Sequence, residues 1–269
     1  MKKFAEVVKK YEYYDTHAHI NSKPLLDNAE QIISGCKNQK IMINAVGTGN
    51  VDSLIGFKQA QKYENVFSIV GFHPGEIKNH SPEECKNLID DILKLNDGNI
   101  IAVGEVGLDY TYDLDKDIQR QVFIKMIELA KKYHLPLELH IRDAHDDAVA
   151  ILNEYAKGIT KIIHCFSASA EIASRYIEMD CYFAVNGILT FNKKIDDLLE
   201  SINIIPINRL LIETDCPYLA PVPFRGKQNI PQYVKYIFDK VKELYRIDNG
   251  QLVNQLKLNA ISAFSKNKN

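Results

Sequence analysis

The sequence predicts an α/β protein, a (β/α)8 TIM barrel folded as a single domain. Three observations carry that expectation. Short β-rich runs alternate with longer helical patterns along the whole chain of 269 residues. Runs such as Ile41-Met42-Ile43 and Ile100-Ile101-Ala102-Val103 are apolar at consecutive positions, as in parallel strands covered on both faces. The length suits a barrel of this kind, which usually takes about 250 residues. An open, doubly wound sheet is the competing architecture, because closure of a sheet leaves no local mark in a sequence.

Taken in chain order, strands are expected at 13–16, 40–46, 66–71, 100–105, 137–140, 161–164, 182–185 and 209–213. Helical patterns lie between them at 81–95, 116–133, 144–155 and 169–178. Ser81-Pro82-Glu83-Glu84 reads as a helix start: serine caps, proline takes the first turn, and Glu84 completes a capping box. Ile118, Val122, Met126 (with Phe123) and Leu129 form one stripe of the next helix, as expected of a helix lying on a sheet. No repeat, low-complexity run or linker divides the chain. One domain over 1–269 is expected, with its core at about 13–262 and a frayed tail from Ser265.

Composition narrows the function classes. Hydrophobic residues make 46% and charged residues 25%, the profile of a soluble globular protein. Lys and Arg total 33 against 35 Asp and Glu, which argues against a broad basic surface for tight duplex binding. Five cysteines without a C-x-x-C pair suggest reduced thiols rather than a disulfide framework. No run reaches the length of a membrane span, and the lysine-rich start lacks the apolar stretch of a signal peptide. A soluble, cytoplasmic, monomeric protein is expected.

The chemistry lies at the strand ends. His17 and His19 alternate along the first strand, so both imidazoles aim at one point. Glu105, His140 and His164 end later strands, and Asp215 follows the last. In a barrel these ends share one rim, where active sites are built. Imidazole and carboxylate donors without thiolate suit Zn, Mn, Mg, Ni or Fe(II). The six residues suffice for two metal ions, and Glu105, with two oxygens, is the natural shared ligand. Asp215 is expected both to ligate and to accept a proton from the attacking water, which makes Glu105 and Asp215 the candidate catalytic carboxylates. Metal-assisted hydrolysis is the reaction class.

Around this set, Asp15 shares the histidines' face and is expected to orient an imidazole. His73, ending the third strand, is a candidate phosphate or carbonyl contact. Arg142, Arg225 and Lys227 are candidate phosphate grips. Tyr110, Phe166, Tyr218 and Phe224 are candidate stacking surfaces for bases. Asp109 is either structural or a support for the site.

The segments Asp15-Thr16-His17-Ala18-His19, Gly71-Phe72-His73-Pro74 and Gly104-Glu105-Val106-Gly107-Leu108-Asp109-Tyr110 form an ordered set. His140-Ile141-Arg142-Asp143-Ala144, His164-Cys165-Phe166-Ser167 and Glu213-Thr214-Asp215-Cys216-Pro217 continue it. Together they resemble the TatD family of metal-dependent deoxyribonucleases, within the wider amidohydrolase-like barrel group. The resemblance implies a nuclease that needs two divalent ions (Mg, Mn or Zn), often a 3′-to-5′ exonuclease on single strands, with nucleic acid as a transient partner. It implies His17, His19 and Asp215 on one ion, His140 and His164 on the other, and Glu105 shared. Three departures stand out: Ala168 where the family usually has glycine, no arginine in Thr111-Tyr112-Asp113, and Gln228-Asn229-Ile230 in the late basic motif. The last two remove positive charge near the mouth. The alternative reading is a hydrolase of a small amide, lactone or aminoacyl ester using the same dinuclear site.

Overall fold

The computed structural model describes residues 4–191 and 196–265. Its strands are β1 (Tyr13–Ala18), β2 (Ile41–Val46), β3 (Val66–Val70), β4 (Ile100–Asp109), β5 (Leu137–Arg142), β6 (Lys161–Ile163), β7 (Tyr182–Val185) and β8 (Leu210–Ile212). They lie in one sheet in chain order, and every neighbouring pair is parallel. The helices are α1 (Phe4–Lys10), α2 (Ala29–Asn38), α3 (Asn50–Lys62), α4 (Pro82–Leu93), α5 (Lys116–Tyr133), α6 (His145–Tyr155), α7 (Ala170–Glu178), α8 (Asp196–Ile204), α9 (Val234–Tyr245) and α10 (Asn249–Ala263).

The open-sheet alternative is excluded where the first and last strands meet. Ala18 and Cys216 form a parallel bridge, His19 N–H donates to the Cys216 carbonyl (2.9 Å), and Asp215 N–H donates to the His17 carbonyl (3.0 Å). Side chains bind the same seam. Thr16 Oγ1 donates to the Ile212 carbonyl at 3.1 Å, and Asp15 accepts from the Thr214 N–H (2.7 Å) and hydroxyl (2.6 Å). The eight strands therefore form a barrel.

Alternation along the strands divides the apolar residues into two cores. Ile41, Ile43, Phe183, Val185, Leu210 and Ile212 face the surrounding helices. Met42, Phe67, Ile162, Tyr182, Ala184 and Leu211 fill the interior, floored by Val7 and Val8 of α1 and by Ala260 and Ala263 of α10. That floor revises the expected start of the core at residue 13, because α1 is part of it. Counting two residues from this inward layer toward the carboxyl ends leads from Ile162 to His164 and from Leu211 to Glu213 and Asp215. An apolar interior thus gives way to a polar rim.

The expected strands all occur, β7 with its expected ends and the others with shifted ones. The largest shift is β4, which continues past Glu105 to Asp109 because residues 106–109 pair with Leu139–Arg142 of β5. Gly107 makes this possible: its φ is 146°, and a Cβ there would stand 2.0 Å from the His140 carbonyl oxygen. The four expected helices occur within a residue or two of their expected ends. Ile118 does not face the sheet as expected; it is exposed, and Gln119 is buried in its place. Gln119 accepts from the Asp109 N–H (2.9 Å) and donates to its carbonyl (3.0 Å), so α5 grips the end of β4. Of the expected frayed tail, 266–269 lie outside the described residues.

Candidate metal centre

The six expected donors converge at the carboxyl rim. His17 Nε2 and His19 Nε2 are 3.1 Å apart. Glu105 Oε2 lies 3.5 Å and 3.7 Å from them, and Asp215 Oδ1 lies 3.8 Å and 3.5 Å. The other Glu105 oxygen, Oε1, lies 2.9 Å from His140 Nδ1 and 3.0 Å from His164 Nε2, which are 3.2 Å apart. Each group is compact enough to hold an ion. Donors about 2.1 Å from one ion, at angles of about 90–110°, stand about 3.0–3.4 Å from one another; the His140–His164 group is close to that spacing, and the His17–His19 group stands a few tenths of an ångström wider.

Every one of these imidazoles is backed by an oxygen acceptor. His19 Nδ1 faces the Val46 carbonyl at 3.1 Å, and His140 Nε2 faces Asp109 Oδ2 at 2.9 Å. His164 Nδ1 faces Glu213 Oε1 at 3.3 Å, and His17 Nδ1 approaches Glu138 Oε2 to 3.3 Å. An acceptor behind the ring draws the N–H to that side and leaves the lone pair of the other nitrogen facing the cluster. The donor chemistry therefore fits divalent ions.

Electrostatics agree. Burial opposes charge on Glu105, yet His164, His73 and His17, with a His140 hydrogen bond, hold its carboxyl well below the usual range. Burial likewise opposes charge on Asp215, and His19, His164 and His17 hold it down. Burial resists a proton on His164, but Glu105 and Glu213 raise its pKa well above normal. Burial and His164 oppose a proton on His17, and Glu138 and Glu105 outweigh them. Carboxylates this well buried call for positive charge at the centre of the cluster.

Other expectations are resolved one by one. Asp109 supports the site: it faces His140 and is held at about 2, burial being outweighed by hydrogen bonds from His140 and Thr111. Asp15 does not orient an imidazole. Its carboxylate binds Thr214 and approaches only the His17 backbone N–H, at 3.4 Å, so it fixes the segment carrying Asp215. Burial lifts its pKa to about 8, against the Thr214 hydrogen bonds. Phe166 is no stacking surface: it is 3% exposed and meets Phe183 edge-on at 5.1 Å, away from the mouth. Cys165, at φ 48°, breaks the strand alternation just before it. Tyr110 donates its hydroxyl to Asp147, and the Lys116 ammonium lies 4.3 Å over its ring, so that ring does not stand free for a base. Lys116 thus brings a cation to Tyr110, next to the segment Thr111-Tyr112-Asp113.

Tyr218 is 60% exposed and stands edge-on to His19 at 6.1 Å. Tyr112, not singled out from sequence, is 44% exposed and edge-on to His73 at 5.9 Å. Burial raises the pKa of Tyr112, and Arg142, exposed at the end of β5, opposes the rise. Arg225 lies 4.2 Å over the Phe191 ring, Lys227 is exposed, and Phe224 stacks on Tyr233 at 4.1 Å. Glu138 and Glu213 were not anticipated. Their signal was spacing, since each stands two residues before a donor, Glu138 within β5 and Glu213 just beyond the end of β8.

A parallel barrel with imidazoles and carboxylates gathered on its carboxyl rim defines a class of metal-dependent hydrolases, and this chain falls within it. A family model described as TatD related DNase matches residues 14–265, so the chain belongs to the TatD family. YabD of Bacillus subtilis, an uncharacterized metal-dependent hydrolase, is 37% identical over 257 residues, covering 94% of this chain and 99% of that protein. An uncharacterized metal-dependent hydrolase of Mycoplasma genitalium is 35% identical over 260 residues, covering 94% and 99%. The crystal structure of the TatD homologue YjjV of Escherichia coli superimposes with a TM-score of 0.86 at 26% identity, covering 94% of this chain and 98% of that one.

Proposed function

We propose that the protein is a divalent-metal-dependent phosphodiesterase that removes nucleotides from the 3′ ends of single-stranded DNA. The observation that carries the reading is the division of Glu105: one oxygen faces the His17–His19 pair and the other faces the His140–His164 pair. That arrangement suits two ions sharing one carboxylate, with Asp215 completing the first set. Bound divalent ions would bring the pKa of a water down to about 7 and neutralise charge on the reacting phosphoryl group.

The protein's own groups divide the remaining work. Asp215 accepts the proton of the attacking water. Asp109, Glu213, Glu138 and the Val46 carbonyl hold the imidazoles in register. Arg142, at the mouth, offers a planar pair of donors to a phosphate, and Arg225 and Lys227 serve phosphates further along the strand. Tyr218, exposed beside His19, offers a face to the terminal base. With a net charge of −2, the chain is expected to hold nucleic acid transiently.

The test is a 5′-labelled single strand incubated with the protein and Mg, Mn or Zn. A ladder of shortened products is expected, and a 3′-phosphorothioate cap should stall it. No shortening with any of these ions, alongside turnover of a lactone or aminoacyl ester, would move the chain to the small-molecule reading.

A further inference from the structure

His73 is the odd histidine of the cluster. The four donor imidazoles have an acceptor behind the ring, but His73 has a donor there: the Gly75 N–H donates to its Nδ1 at 3.0 Å. A backbone N–H can only donate, so Nδ1 presents its lone pair and the ring proton sits on Nε2. That nitrogen points into the site, 3.7 Å from Glu105 Oε1, too far for a hydrogen bond. The ring is braced edge-on by His140 at 4.4 Å and by Tyr112 at 5.9 Å. His73 thus presents a fixed N–H to the centre that finds no acceptor among the described residues and, in this tautomer, has no inward lone pair for an ion.

Its place relative to Asp215 gives the N–H a task. The His17–His19 pair stands at Oε2 of Glu105 and has Asp215 beside it, whereas His73 stands at Oε1. An in-line displacement puts the attacking and leaving oxygens on opposite sides of phosphorus. Building on the phosphodiesterase reading, we infer that His73 is a catalytic hydrogen-bond donor to the leaving oxygen and not a metal ligand. The water oxygen bonds to phosphorus, and its proton passes to Asp215. The bond from phosphorus to the leaving oxygen breaks, and that oxygen takes the electron pair. His73 shares its Nε2 proton with this oxygen without giving it up, and solvent protonates the alkoxide after departure.

Leaving-group dependence separates this role from a structural one. His73→Asn keeps an acceptor for the Gly75 N–H but loses the reach of Nε2. His73→Gln restores an amide N–H near that point. On a thymidine dinucleotide, whose leaving group is a poor alkoxide, His73→Asn should lose about 100-fold in kcat. On bis(p-nitrophenyl) phosphate, whose leaving group needs little help, the loss should stay within a few-fold. His73→Gln should recover part of the dinucleotide rate. Bound metal per chain, read by elemental analysis, should match the unsubstituted protein in both variants. Equal losses on the two diesters, or loss of metal, would overturn the role of His73 and leave the phosphodiesterase reading standing. An unsubstituted protein that cleaves neither diester would overturn both.

Discussion

Glu138 is wholly buried, two residues before His140, with its carboxylate behind His17. Burial raises its pKa, and the His17 charge pulls the other way. A carboxylate behind a ligating imidazole typically accounts for about 10–100-fold in metal affinity. Glu138→Leu is therefore expected to weaken binding by that factor while Glu138→Gln, which keeps an acceptor, loses less; competition with a chelating dye measures both. The imidazoles also fix the sign of a pH effect. Carboxylate neighbours raise the pKa of His17, His140 and His164 against the effect of burial, so these rings hold protons more tightly than free histidine. An entering cation must displace those protons, so affinity should fall as pH falls and recover in mild alkali. Calorimetry at pH 8 and pH 6 should show weaker binding at the lower value, and a flat profile would contradict histidine ligation. At this scale the six donors were legible because an imidazole or carboxylate ending an apolar run is conspicuous. Asp15 and Phe166 were misread because side-chain direction at a strand end depends on backbone turns, such as that at Cys165, that composition does not record.

Among the elements, α5 matters most to the site. Asp115 caps it, accepting from the N–H groups of Asp117 (2.7 Å) and Ile118 (3.3 Å), and one turn later Gln119 clamps Asp109. Asp115→Ala should cost about 1 kcal/mol, as lost helix caps do. That corresponds to a fall of about 2–4 °C in the melting temperature of a protein near this size, readable by circular dichroism. The ends of this helix were legible to the residue, because a long amphipathic run marks them. Its rotation was not. Ile118 is apolar and fits the stripe by spacing, yet Gln119 is drawn inward by two backbone groups at the end of β4. The extra length of β4 escaped notice for a related reason: its last residues pair with a strand some thirty positions away, and only that partner identifies them as sheet.

For the whole molecule, metal removal should act on the fold as well as on activity. Ligands bound at 100 times their dissociation constant stabilise the native state by about 2.7 kcal/mol. Dialysis against EDTA should therefore lower the melting temperature by about 5–10 °C, and adding Mn or Zn back should restore it. The barrel was legible from the strand–helix rhythm, but its closure was not, since the seam depends on Asp15 meeting Thr214 across 199 positions of chain. The same seam has a bearing on the protein's synthesis. His17 is made before Asp215, with seven strands between them, so a growing chain lacks one carboxylate of its first donor set until the eighth strand has been made. On the function proposed above, a nascent polypeptide would hold no complete metal centre, and so no hydrolytic power, before its ring of strands closes.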